Sequence, residues 1–495
     1  MINYKSFPSL TRTLSHGGVW MIILRSGEKI LNFIKLVVLA HLLTPYDFGI
    51  VAVALVLSTA LDAFSQTGFT EALIQKKEGS QASYDCAWTV LLLRGILLAA
   101  VMSLCGDMIA HMFKIPAAGD IAKAMALCFI FQAFTNIGIV HLLKELDFKK
   151  YFAYNTLAAI GDFIVSLTAA LILRNAWALV FGMLARDFLK LVISYMISPY
   201  RPRFQLDIAY IKELFKFGKW MFGSSIFGFV IMQIDSVFVA RLLGASAIGA
   251  YQMAQKISNV PTTEVAHISN QLTMPAYSKI QDNPKRLKEA YLKVLELTSF
   301  FIFFSAGLIV IMGEDFVNIF LGKKWESLAS ILVIMTIAGA LRAVAATTGA
   351  IFLSIGKPRV DTFWQSIRLV IIAVLIYPLA CRWSTVGAAV ALLVSTLISA
   401  LGLCYAVTDA LKCSLKDFAK AILTGFLSSF VGAALVYFLK KRLAPIDIMG
   451  FFFLLALFTI VYILCALAVD KWFSYNLIKL FKEIRAQFVP EKLSE

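Results

Sequence analysis

Seven polar residues, Gln252, Gln255, Lys256, Asn259, Thr263, His267 and Asn270, recur at spacings of 3, 4, 7, 11, 15 and 18 through an otherwise apolar stretch. Those spacings follow the 3.6-residue period, so on a helix they share one face over most of a bilayer crossing. A polar face that long is poorly explained by exposure to lipid. The alternative is hydrogen bonding between helices. His267 taken alone reads as a satisfied structural histidine. Pro261 falls mid-stretch, where it should kink the helix. A second cluster, Arg25, Glu28, Lys29, Asn32 and Lys35, has spacings of 3, 4, 7 and 10. It is either a cationic stripe facing a cavity or an amphipathic leading helix with snorkelling ends and a local ion pair.

A charge at membrane depth costs about 2.5 to 3.5 kcal/mol, so it is expected to face water or a partner. Arg342 lies in an apolar run without an adjacent acid and is a cavity candidate. Asp162, Asp235 and Glu264 are candidate proton or cation carriers, with structural pairing as the alternative for each. Arg186 and Asp187 read as an internal pair, and Arg94 and Lys190 are further embedded charges. There is no P-loop, no HExxH and no GxSxG, hence no signature for ATP hydrolysis or for those hydrolases. The seven cysteines are scattered without a CxxC pair and read as packing residues. No metal and no cofactor are expected, and the protein is not expected to be an enzyme.

The elements that must carry these residues follow from composition. The chain has 495 residues, 60% hydrophobic and 15% charged, with a mean hydropathy of +0.81. Soluble proteins have about a quarter of their residues charged. Apolar runs of about 20 residues, the length that crosses a bilayer as a helix, recur from end to end. A barrel would instead alternate within strands of about 10 residues. The fold class is therefore an all-α polytopic membrane protein. The formal net charge of +16 is read as the lysine and arginine bias of cytoplasmic loops, with no nucleic acid as partner. The first apolar run, carrying Arg25, Glu28 and Lys29, does not read as a signal peptide.

About fourteen spans are expected, near 18–43, 46–68, 84–110, 119–143, 153–173, 176–198, 215–241, 246–274, 291–313, 328–354, 361–381, 386–408, 417–439 and 448–470. With the N-terminus placed inside, 28 flanking lysines and arginines fall on the cytoplasmic side and 10 on the other, which favours both termini cytoplasmic. Arg368 is counted in that cytoplasmic group. "LAHLLTPYDFG" from Leu39 has an echo at an offset of 200, "VARLLGASAIG" from Val239: Ala40, Leu42, Leu43 and Gly49 align with Ala240, Leu242, Leu243 and Gly249. The two copies join spans one to two and seven to eight. This suggests a parallel repeat of two six-helix lobes, 1–200 and 215–410, with a basic linker at 201–214. Two further helices and a cytoplasmic tail make up 411–495.

Residues 39–88, "LAHLLTPYDFGIVAVALVLSTALDAFSQTGFTEALIQKKEGSQASYDCAW", resemble the opening of bacterial polysaccharide transporters. The likeness is to the Wzx-type, colanic-acid-exporter-like branch of the multidrug/oligosaccharidyl-lipid/polysaccharide exporter superfamily. Pro45, Asp47, Phe48, Gly49 and the Ala72–Gln75 tetrapeptide stand in place. His41 departs where Arg is expected, whereas the second copy keeps Arg241. The resemblance implies an inner-membrane flippase that works by alternating access of two lobes around a cationic cavity. It would move undecaprenyl-pyrophosphate-linked oligosaccharide repeat units from the cytoplasmic to the periplasmic leaflet for cell-surface polysaccharide. Membrane lipids, a glycan polymerase and a chain-length regulator are the implied partners. Arg25, Lys29, Lys256 and Arg342 would then meet the pyrophosphate, and Asn32, Gln252, Gln255, Asn259 and Thr263 the sugars. The alternatives are a multidrug cation antiporter of the same fold, a peptidoglycan-precursor lipid flippase, and a membrane-embedded glycan polymerase or ligase. The first would want an acidic cavity, and the last a large outer loop that the sequence lacks.

Overall fold

The computed structural model describes residues 27–473 except 67, 70–72, 74–80, 146 and 444–445, with side chains at 143, 148, 209, 211, 213–221, 261–272, 275, 470 and 472–473 also outside the description. Every regular element among the described residues is helical. By its internal contacts the chain divides into two compact units after Gly249. The first holds α1 (27–42), α2 (Pro45–Ala63), α3 (Gln81–Phe113), α4 (Ala117–Phe134), α5 (Ile139–Lys144), α6 (Phe148–Leu173), α7 (Trp177–Ile197) and α8 (Ile208–Leu243). The boundary falls early in α9 (Ala245–Ile280). The second continues through α10 (Pro284–Phe316), α11 (Glu326–Ser354), α12 (Pro358–Ala410), α13 (Leu415–Leu443) and α14 (Ile448–Phe473).

Ten of the described helices are long and apolar enough to cross a membrane, against about fourteen spans expected. The difference has physical sources. Helix α7 carries Arg186, Asp187 and Lys190, and α9 carries the polar stripe. Helix α12 counts once, although Trp383 and Ser384 leave helical geometry between the two arms expected at 361–381 and 386–408. Span four is shorter than expected: α4 stops at Phe134, and α5 begins only at Ile139. Asn136 causes the break. It is buried, its amide donates to the Tyr200 carbonyl at 2.7 Å, and its side-chain oxygen accepts from the Gly138 N–H at 2.8 Å.

The turn in the repeated motif is a helix start. Thr44 is the N-cap of α2, Pro45 occupies the first turn, and Asp47 closes a capping box. The Thr44 N–H donates to Asp47 Oδ2 at 2.9 Å, and the Asp47 N–H donates back to Thr44 Oγ1 at 3.3 Å. Proline costs nothing there, because the first N–H groups of a helix have no partner inside it. In the echo, Gly244 at φ +83° makes the turn, and α9 begins at Ala245. The helix starts are thus 200 residues apart, as the sequence offset requires.

Within the first unit these two starts meet. A Cβ on Gly49 would overlap the Ala245 carbonyl, and a Cβ on Gly249 would overlap the Pro45 carbonyl. The contact is reciprocal: position 45 or 245 of one copy faces glycine 249 or 49 of the other. Small residues let helix backbones approach this closely, which matters in lipid, where the hydrophobic effect does not drive helices together. Further along, Phe64 after α2 packs on Phe229 of α8 at 5.6 Å.

Segment 198–207 has no regular secondary structure and lies against the start of α3. Buried Asp85 accepts from the Tyr200 hydroxyl and from the Arg203 N–H at 2.8 Å, and the Gln205 N–H donates to Thr89 Oγ1 at 2.9 Å. Polar backbone that leaves a helix must find such partners when buried. In the second unit, α13 and α14 pack on α10. Gly425 lies against the Ser299 backbone, and the Tyr462 hydroxyl donates to the Phe300 carbonyl at 2.6 Å.

The glycine contact makes a direct prediction. Gly49→Ala and Gly249→Ala each place a methyl against backbone that cannot move aside, at about 1 to 3 kcal/mol. Thermal unfolding in detergent should fall for both. Gly228→Ala, with no atom within 4 Å of the added carbon, should match or exceed wild type because alanine favours helix by up to about 1 kcal/mol.

Candidate functional site

The polar stripe of α9 opens with Gln252, Gln255 and Asn259 half-buried and Lys256 exposed. Arg342 on α11 reaches this stripe, and its guanidinium donates to Asn259 Oδ1. Two residues proposed separately from the sequence, 83 positions apart, are thus brought together in the second unit. An amide oxygen satisfies a guanidinium donor without itself carrying a charge. The side chains of Thr263, Glu264, His267 and Asn270 lie outside the description.

In the first unit, α1 carries Lys29 half-buried, Asn32 exposed and Lys35 half-buried. Arg25 lies outside the described residues. Lys35 forms an ion pair with Asp162 of α6, and Asp162 also accepts from the Ser166 hydroxyl at 2.9 Å. A Cβ at position 182 of α7 would strike Ser166 Oγ and Asp162 Oδ1, so Gly182 leaves the room this polar pair occupies. On the same helix Asp187 accepts from Gln132 Nε2 at 3.0 Å and lies 3.8 Å from Arg186 Nε, the pairing expected from sequence. Lys190 sits over the Tyr154 ring at 5.7 Å.

Asp235 of α8 is buried, and its carboxylate accepts from the Ser236 N–H at 2.8 Å. Arg94 of α3 is tied to the end of α2: it pairs with the Asp62 carboxylate, donates to the Asp62 carbonyl at 3.1 Å and to Ser65 Oγ at 3.0 Å. Arg368, counted with the cytoplasmic flank, is buried ten residues inside α12. The sequence reading missed the Lys35–Asp162 pair, because 127 residues separate the partners and no local spacing relates them. Opposite charges each lacking a neighbour in its own span were the available signal.

Residues 38–330 match the family model described as "Polysaccharide biosynthesis protein". The chain belongs to this family. Within it stand the α2 turn with Pro45, Asp47 and Gly49, the Lys35-facing Asp162, and the α9 stripe; Arg342 lies just beyond the matched range. Among known relatives, the lipopolysaccharide biosynthesis protein WzxC of Escherichia coli (strain K12) is 26% identical over 333 residues, 67% of each chain. The succinoglycan biosynthesis transport protein ExoT of Rhizobium meliloti (strain 1021) is 22% identical over 360 residues, 72% of this chain and 73% of the relative. Among solved structures, the inward closed conformation of the lipid II flippase MurJ aligns with a TM-score of 0.74 at 15% identity, covering 93% of this chain and 100% of that one. An inward-facing multidrug transporter of the MATE family, in the MOP superfamily, aligns at 0.58, covering 84% and 96%. The polysaccharide biosynthesis family member described here therefore has the MOP fold and is an integral membrane protein.

The Arg342–Asn259 contact is measurable on its own. Arg342→Ala and Asn259→Ala should be non-additive in thermal stability, with a coupling on the order of 1 kcal/mol, as for residues sharing a hydrogen bond. Additive losses would separate the two residues.

Proposed function

We propose that the protein is a flippase that carries undecaprenyl-pyrophosphate-linked oligosaccharide repeat units from the cytoplasmic to the periplasmic leaflet of the bacterial inner membrane, for cell-surface polysaccharide. The observation that carries the reading is the embedded basic charge held beside amides, Arg342 on Asn259 with Lys256 one turn away. A pyrophosphate needs cations, and sugar hydroxyls need amide partners. Family membership and the names of the relatives support the same cargo class. A multidrug cation antiporter has a related fold, but an organic cation would be repelled by this charge.

Transport is by alternating access. Arg25, Lys29, Lys256 and Arg342 neutralise the diphosphate, and Asn32, Gln252, Gln255, Asn259 and Thr263 bind the glycan. The prenyl tail stays among membrane lipids. Asp162, Asp235 and Glu264 are the groups through which an ion gradient would act. Both termini are cytoplasmic, and a glycan polymerase and a chain-length regulator receive the product.

Lys256→Ala and Arg342→Ala should each impair export while membrane abundance stays near wild type. A hydrogen bond to a charged group contributes roughly 1.5 to 3 kcal/mol, so cargo affinity should fall about tenfold to a hundredfold. Lys256→Arg should retain more export than Lys256→Gln. Surface glycan measured in a strain lacking the chromosomal copy provides the readout. Wild-type export from a well-expressed Lys256→Ala/Arg342→Ala double variant would reject the proposed role of these cations.

A further inference from the structure

The Lys35–Asp162 pair is placed unlike an ordinary structural salt bridge. The Asp162 side chain is 4% exposed, while that of Lys35 is 16% exposed. One partner is sealed in the bundle and the other is reachable. The sealed partner sits in a fitted space, with Ser166 donating to it and Gly182 leaving room for it. The reachable partner is on the helix that also presents Lys29 and Asn32. Among the described residues the charged groups around Asp162 are these. From α1 there is Lys35, with Glu28 and Lys29 earlier on the helix. From α7 there are Arg186, Asp187 and Lys190, of which Arg186 lies within electrostatic range of Lys35, and Glu28 within that of Lys190. Asp187 has its own partners in Gln132 and Arg186, which leaves Lys35 as the cation bonded to Asp162.

We propose that Lys35 is an exchangeable cargo ligand: it leaves Asp162 for the diphosphate, and Asp162 takes up a proton as it leaves. This rests on the export reading given above. The chemistry balances. Lys35 stays an ammonium and changes its anionic partner. Asp162 goes from carboxylate to carboxylic acid by gaining one proton from solvent, and Ser166 remains its neighbour. Without Lys35 or a proton, a carboxylate would be left buried and uncompensated, which costs several kcal/mol. Diphosphate binding and proton binding are therefore linked, and linkage is reciprocal. Lower pH tightens diphosphate binding, and diphosphate binding draws in a proton.

The test uses the full-length protein in nanodiscs and farnesyl-diphospho-N-acetylglucosamine as the probe, whose diphosphate is esterified at both ends and so does not titrate near neutrality; binding is followed calorimetrically in two buffers of different ionisation enthalpy, from mildly acidic to mildly alkaline. Wild type should bind more tightly toward acid and take up a fraction of a proton per ligand. In Asp162→Asn, Lys35 is already released. It should bind about tenfold more tightly at the alkaline end, with no pH dependence and no proton uptake. Lys35→Met/Asp162→Asn removes both charges and so leaves no unpaired ion to destabilise the fold. It should bind weakly, without uptake. Asp162→Asn with wild-type affinity and uptake would make the pair a fixed structural bridge and overturn the inference, as would undiminished uptake in the double variant. Failure of wild type to bind this probe at all would instead reject the export reading, and this inference with it.

Discussion

A charge buried where water cannot reach must have a partner, and much of this structure follows from that constraint. Inside a bilayer an uncompensated ion costs several kcal/mol. Lys35 ties α1 to α6 through Asp162, Gln132 ties α4 to Asp187 of α7, and Arg342 ties α11 to α9 through Asn259. Each contact joins helices distant in sequence. The residues best suited to meet an anionic ligand are thus among those that hold the bundle together. Removing one member leaves its partner exposed to the same penalty, whereas replacing both need not. That asymmetry explains why paired substitutions are more informative here than single ones.

Backbone imposes the second constraint. Helices in lipid gain little from burying apolar side chains against each other, so close approach and hydrogen bonding carry the packing. Gly49 and Gly249 let the first turns of α2 and α9 meet backbone to backbone. Where the chain leaves helical form, at Asn136 and along 198–207, buried side chains accept or donate what the lost helix would have supplied. The basic segment after α7 is therefore an ordered part of the first unit up to the start of α8.

Much of this was legible in the sequence, for identifiable reasons. The helical class followed from apolar runs, which lipid makes nearly obligatory. The turn at Thr44–Gly49 was readable as a join between two apolar runs, and the 200-residue offset became a reciprocal contact because both copies kept their glycine. The α9 stripe was readable because 3.6-residue periodicity survives in polar residues. What the sequence concealed was non-local. Nothing near Lys35 points to Asp162, and nothing near Arg342 points to Asn259. The break at Asn136 was hidden because the Tyr200 carbonyl that its amide meets lies 64 residues away.

Charge sign connects these features to function. Among the described residues Arg342 is an embedded cation that reaches the polar stripe, and a fold shared by a lipid II flippase and multidrug transporters does not by itself set the cargo. The most direct measurement is flipping in proteoliposomes loaded with a fluorescent undecaprenyl-diphosphate oligosaccharide, read as loss of fluorescence to a membrane-impermeant quencher. The account predicts that purified protein speeds the exchange of labelled lipid between leaflets well beyond that of protein-free vesicles. Exchange no faster than in protein-free vesicles, together with uptake of an organic cation by the same preparation, would contradict it.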